Sequence, residues 1–271
     1  MIPVPDVAAA VCMGVLAGFL AALAGVGGGF LYVPILVLVF GLDPQDAVGT
    51  SLTVIIFTTL AASVSYLRQK RVFFRSAACL IVPSVVFAIA GAYLTAFISG
   101  VIVALLFSLV VGLLAVKLLF QEFPLVGAIE RGPFCEETCC DRFSCIAKNR
   151  LYYLHYAVWG SLAGLASGLT GIGGGVFNVP TLVTAGIPVH FAVATSTIVV
   201  LATSGAGAGI HATLGHIQPA YALSLSTGAV IGAYAGAQTA PKAPEQLLRK
   251  GIGILLAVVA LTMLITTLLG M

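Results

Sequence analysis

Charge is what this sequence has least of. Of 271 residues, 8% are Asp, Glu, Lys or Arg and 60% are hydrophobic. A water-soluble domain of that length needs a more polar surface, so that class is excluded. The apolar runs are about 20 residues long, enough for a helix to cross a hydrocarbon core of about 30 Å. They predict spans near 47–67, 77–97, 101–120, 151–170, 191–212, 220–240 and 247–269. The opening apolar run, 7–24, has no basic residue ahead of it, which argues against a cleaved signal peptide. The net charge of +3 carries little meaning, because almost all the charges fall in a few loops. The expected partners are therefore a lipid bilayer and whatever small solute crosses it, and no nucleic acid.

What is present is a repeat. Gly14, Leu16, Ala17 and Gly18 recur 146 residues later as Gly160, Leu162, Ala163 and Gly164. At the same offset Gly25, Gly27, Gly28, Gly29, Val33, Pro34 and Leu36 recur as Gly171, Gly173, Gly174, Gly175, Val179, Pro180 and Leu182. After one deletion "AVGTS" (47–51) is answered by "AVATS" (192–196). Chance likeness between apolar segments would match leucines and alanines; here glycines, prolines and hydroxyls match, as a duplication requires. The chain divides into a first transmembrane repeat (1–120), a cysteine-containing linker (121–150) and a second repeat (151–271).

Basic residues set the orientation. Arg68, Lys70, Arg71 and Arg75 share one loop; Lys117, Arg131, Arg142, Lys148 and Arg150 lie at or in the linker; Lys242, Arg249 and Lys250 lie in the last loop. The positive-inside rule puts all three regions in the cytoplasm. Four simple spans per half would leave the last loop outside. A hairpin that returns at the glycine break, followed by three spans, inverts the second half and brings all three inside. The expected fold is thus an all-α polytopic membrane protein of two homologous halves as inverted repeats, each a glycine-broken hairpin plus three transmembrane helices. Asp6, Asp43, Asp46 and His216 are left outside.

Irregular backbone at membrane depth persists only where protein or a watery cavity satisfies its polar groups. Glycine permits the tight turn and lets a ligand reach bare backbone. The segment after each break, 30–40 or 176–185, is half a span long, and Pro34 and Pro180 are expected in its first turn. Such a half-helix presents free N–H groups and a positive dipole end, which suits an anion. In an inverted repeat two such ends converge near the midplane. The alternative is that glycines serve close helix packing, the role expected of Gly205 and Gly209.

"GVGGGFLYVP" and "GIGGGVFNVP", each followed by "AVxTS", resemble the TauE/SafE family of membrane transporters, also described as sulfite exporters. The likeness covers both halves. It implies a secondary transporter in a prokaryotic cytoplasmic membrane, moving a small sulfur-containing or organic anion of the sulfite, thiosulfate or sulfoacetate type, coupled to protons. The residues themselves reach only as far as a small anion.

The span interiors carry no Lys or Arg, so the candidate substrate site is Gly25, Gly27, Gly28, Gly29, Gly171, Gly173, Gly174 and Gly175, with the hydroxyls of Thr50, Ser51, Thr195 and Ser196. Those hydroxyls could equally cap helix starts. Asn178 adds an amide where the first copy has Tyr32, so the two half-sites are expected to touch different parts of the ligand. Acids are also missing from the span interiors, which leaves His211 and Asp46 as the candidates for proton coupling. Without a titrating group the protein would be an uncoupled channel or uniporter. Cys12 and Cys79 read as ordinary buried residues. In the linker, Cys135, Cys139, Cys140 and Cys145 could hold a metal, act as a redox sensor, or be incidental, because their spacing matches no standard zinc or ferredoxin pattern. No cofactor is required otherwise. Nothing pairs a nucleophile with a base: Ser196 and His211 on one helix stand about 22 Å apart along its axis. The chain reads as no enzyme.

Overall fold

The structure, a computed structural model, describes residues 4–120, 150–240 and 245–269. Ten helices form among the described residues, five in each half. In the first half they are α1 (Val4–Ala24), α2 (Gly29–Pro34, continued by a π-helical turn Ile35–Val39), α3 (Pro44–Arg68), α4 (Phe74–Leu94) and α5 (Gly100–Phe120). In the second they are α6 (Arg150–Thr170), α7 (Gly175–Thr184), α8 (Val189–Thr213), α9 (Pro219–Thr239) and α10 (Glu245–Leu269). Each half therefore contains a long helix, a short helix after the glycine break and three further long helices. The four cysteines singled out in the linker lie outside the described residues.

Local chemistry explains the boundaries. Pro44 and Pro219 open α3 and α9, where the missing N–H costs no ladder bond. The ends of α3 and α8 repeat one another: Arg71 N donates to Tyr66 O and His216 N to His211 O, closing the last turn through Lys70 and Gly215 in left-handed conformation. Pro34 and Pro180 differ from expectation. Both half-helices start at the last glycine of the break, so each proline is the sixth helical residue and interrupts the ladder there. After Pro34 the chain widens into the π-helical turn.

The halves interlock rather than sit side by side. α1 packs along α9, and its counterpart α6 packs along α4. α3 and α8 touch each other at the centre, while α5 and α10 pair at the periphery. Small residues make the close pairs possible. A Cβ on Gly228 or Gly232 would overlap the carbonyls of Val11 or Val15 on α1; one on Gly164 or Gly168 would overlap those of Ser84 or Ala88 on α4. Gly14 and Gly18 meet α9 in the same way. The recurrence of Gly14 and Gly18 as Gly160 and Gly164 is thus a packing motif. Gly205 and Gly209 are not: a Cβ at either meets nothing within 4 Å.

The surface is apolar where lipid belongs. Val82 and Val86 of α4, Leu109 and Leu113 of α5, and Leu261 and Ile265 of α10 are exposed. Cys12 is exposed with them, and Cys79 is half-buried at the edge of the cluster around Leu80, Tyr156 and Leu182, so neither is the fully buried residue expected. Four helices among the described residues are long and apolar enough to cross a membrane: 6–24, 44–68, 74–97 and 189–213. α6 and α9 match the spans expected at 151–170 and 220–240, but their Gly, Ala and Ser content makes them less apolar.

Candidate anion site at the converging breaks

The two glycine breaks meet. A Cβ on Gly29 would overlap the carbonyl of Gly171 and crowd Ile172, and one on Gly175 would lie 2.6 Å from the Cα of Val26 and 2.8 Å from Gly25 O. Each half-helix start therefore rests on the other half's turn, backbone against backbone. Ile55 of α3 and Val200 of α8, which are corresponding residues, pack over both Gly27 and Gly173. Left-handed backbone carries each turn: Gly27 and Gly28 have φ of 91° and 92°, and Gly173 and Gly174 have 89° and 73°. Side chains at φ values of this kind cost about 1–2 kcal/mol per residue, so glycine is what the geometry requires.

Hydroxyls hold the breaks together across the halves. Ser51 Oγ donates to Gly171 O at 3.0 Å, and Ser196 Oγ donates to Gly25 O at 2.9 Å. Their neighbours hold loops: Gln218 N donates to Thr50 Oγ1 at 3.0 Å, and Phe73 N to Thr195 Oγ1 at 3.1 Å. All four residues are fully buried. They are not helix caps, because α3 and α8 begin at Pro44 and Val189, well before them. The doubled Thr-Ser is a brace. Sequence matching found these residues but could not show that each copy grips the opposite half.

The chain matches the family described as sulfite exporter TauE/SafE over residues 10–263. It is 30% identical over 240 residues to a probable membrane transporter protein, YunE, of Bacillus subtilis (strain 168), covering 84% of this chain and 86% of the relative. A probable membrane transporter protein of Haemophilus influenzae is 29% identical over 278 residues, covering 93% and 95%. One from Methanocaldococcus jannaschii, MJ0441, is 28% identical over 271 residues, covering 94% of each. This chain belongs to the TauE/SafE family. It is a multi-pass integral membrane protein. No solved structure matches it.

Within this TauE/SafE chain the two half-sites are unlike. In the first, Thr58 Oγ1 gives its proton to Val54 O, so Tyr32 donates to that hydroxyl at 2.9 Å. The ring of Tyr32 also lies against Gly28: a Cβ there would stand 2.8 Å from it. In the second, Asn178 takes the place of Tyr32, and both its amide nitrogen and oxygen are buried without a partner. Ser167 and Ser204 are also buried with unpartnered hydroxyls, and the Cβ of Ser167 is 3.5 Å from where a Cβ on Gly174 would lie. Thr203, which corresponds to Thr58, donates within its helix to Val200 O at 3.0 Å and lies 3.4 Å from Gly173 O. Ser167 and Ser204 escaped sequence reading because their counterparts, Ala21 and Thr59, give no matched pattern.

The coupling candidates lie where the start of α3 meets the end of α8. His211 Nε2 donates to Gly168 O at 3.2 Å, just as the corresponding Tyr66 donates to Ala22 O at 2.8 Å. A carbonyl only accepts, so the proton is on Nε2 and Nδ1 faces His216 Nδ1 at 3.4 Å. A Cβ on Gly49 would contact both His211 and His216 O, and Asp46, one turn earlier, accepts from Gln218 Nε2 at 2.9 Å. Asp46, His211 and His216 thus gather around one loop. Among the described residues, no group of three His, Cys, Asp or Glu is placed to hold a metal.

Proposed function

We propose that this protein is a proton-coupled secondary transporter for a small sulfur-containing or organic anion of the sulfite, thiosulfate or sulfoacetate type, acting in a prokaryotic cytoplasmic membrane. The observation that carries the reading is the contact between the two breaks, Gly29 on Gly171 and Gly175 on Gly25–Val26. It gathers positively φ-turned glycines and the start of a half-helix at one buried point, where backbone N–H groups and a dipole end favour an anion. Binding without a buried cation suits transport, because release needs no strong ion pair to be broken. The relatives named as transporters support a carrier over an enzyme.

The halves are read as inverted repeats. The loop after α8 lies on the start of α3, through Gln218 and Thr50, and the loop after α3 lies on the start of α8, through Phe73 and Thr195. That reciprocity supports opposite directions for α3 and α8, with the basic loop 68–75 opposite the loop carrying His216. His211 and Asp46 would pass protons to and from the site at that outer mouth. The reading requires no cofactor; a metal at Cys135, Cys139, Cys140 and Cys145 would be an addition, detectable by metal analysis of the purified protein.

The test is flux into proteoliposomes of sulfite, thiosulfate, sulfate and sulfoacetate, with and without a pH gradient. Gradient-driven uptake of a sulfur anion is expected. Equal flux without the gradient would make the protein a channel or uniporter. No flux of any of them through folded protein would remove the assignment.

A further inference from the structure

The orphaned polar atoms of the second half are a different matter from the glycine turns. Asn178 Nδ2 and Oδ1, Ser167 Oγ and Ser204 Oγ are all buried and unpartnered. Each buried polar atom without a partner costs about 1–3 kcal/mol. The corresponding positions of the first half carry no such cost. Tyr32 is bonded to Thr58, Ala21 is apolar, and Thr59 donates to Ile55 O at 2.6 Å. One break is closed and the other is left wanting partners.

We infer that the second break alone holds the ligand's head group, and that the ligand form it selects is a monoprotonated oxyanion, which both accepts and donates hydrogen bonds. This inference rests on the transport reading above and specifies the species carried. A fully deprotonated anion has only acceptors. It could satisfy Asn178 Nδ2, the serine hydroxyls and the first N–H groups of α7, but it would leave Asn178 Oδ1 facing negative oxygen. An oxyanion that keeps one O–H donates that hydrogen bond to Oδ1 and turns its bare oxygens to the donors. Asn178 lies in the second turn of α7, and helical side chains lean back towards the N-terminus, so its amide and the free N–H groups serve one ligand. The proton then crosses on the substrate. That accounts for coupled transport through spans whose interiors hold no acid, with Asp46 and the two histidines acting only at the mouth.

Initial sulfite flux in proteoliposomes is measured across pH, with total sulfite adjusted so that either hydrogensulfite or the dianion stays constant. The wild-type rate should follow hydrogensulfite alone. Selectivity for sulfite over sulfate, which carries no proton in this range, should fall roughly tenfold or more in Asn178→Leu. Ser167→Ala and Ser204→Ala, which install residues too small to disturb the fold, should lower sulfite flux and leave its pH dependence in place. A rate that follows the dianion would overturn the inference while leaving the transporter reading intact, as would unchanged selectivity in a folded Asn178→Leu. A folded wild type that moves none of these anions would overturn both.

Discussion

Replacing Ser51 and Ser196 by alanine tests whether the halves are held by the braces seen here. Each hydroxyl donates to a carbonyl in the other half's break, at 3.0 and 2.9 Å. Hydrogen bonds between membrane helices contribute about 0.6 kcal/mol on average and up to about 1.7. These two sit at the upper end, because both the residues and the turns they hold are buried. Ser51 shares its one proton between Gly171 O and Val48 O, at 3.0 and 2.8 Å, so its bond across the halves is the weaker of the two braces. The double variant should therefore lose about 1–3 kcal/mol, a drop of roughly 3–10 °C in the thermal midpoint of the detergent-solubilised protein. Because the breaks touch, the two substitutions should couple rather than add. Ser224→Ala is the control: its hydroxyl donates to Ala220 O within its own exposed helix face, and less than about 0.5 kcal/mol is expected. A double variant as stable as Ser224→Ala would refute the brace.

Other consequences follow from the same geometry. Gly174→Ala forces a side chain into φ of 73° with its Cβ 2.9 Å from Ala163 O, so it should cost about 1–2 kcal/mol or more, whereas Gly205→Ala, with open space around it, should be neutral in the same melt. Tyr66→Phe removes the bond to Ala22 O and should lower stability by about 1 kcal/mol with substrate preference unchanged, which a flux panel checks. His211→Gln keeps an amide donor for Gly168 O and should fold; it should slow gradient-driven uptake without changing the final accumulation ratio. Loss of accumulation at an undiminished rate would instead put the transported proton on His211.

Helix number and boundaries were legible because membrane thickness demands long apolar runs and the breaks interrupt them with glycine. The duplicated "GxGGG" and "TS" pairs also marked the segments that touch across the halves. What the pattern could not convey is which half each hydroxyl serves, because matched positions say nothing about reciprocal contact. Gly205 and Gly209 looked like packing glycines by type alone, while Gly228 and Gly232, buried against α1, do that work. Ser167 and Ser204 carried no signal, since an unpartnered hydroxyl is a property of its surroundings. The pairing of His211 with His216 depended on the turn that closes α8, which brings residues five apart to 3.4 Å.

The most direct test of the central claim is saturable flux of labelled sulfite through wild-type protein and through Val200→Trp, in matched proteoliposomes. Val200 packs against both Gly27 and Gly173, so an indole there would crowd both turns. Saturable flux is expected in the wild type and in Cys12→Ser on the lipid face, with loss in a Val200→Trp variant that still elutes as folded protein. Full flux through Val200→Trp would contradict a pathway at the converging breaks.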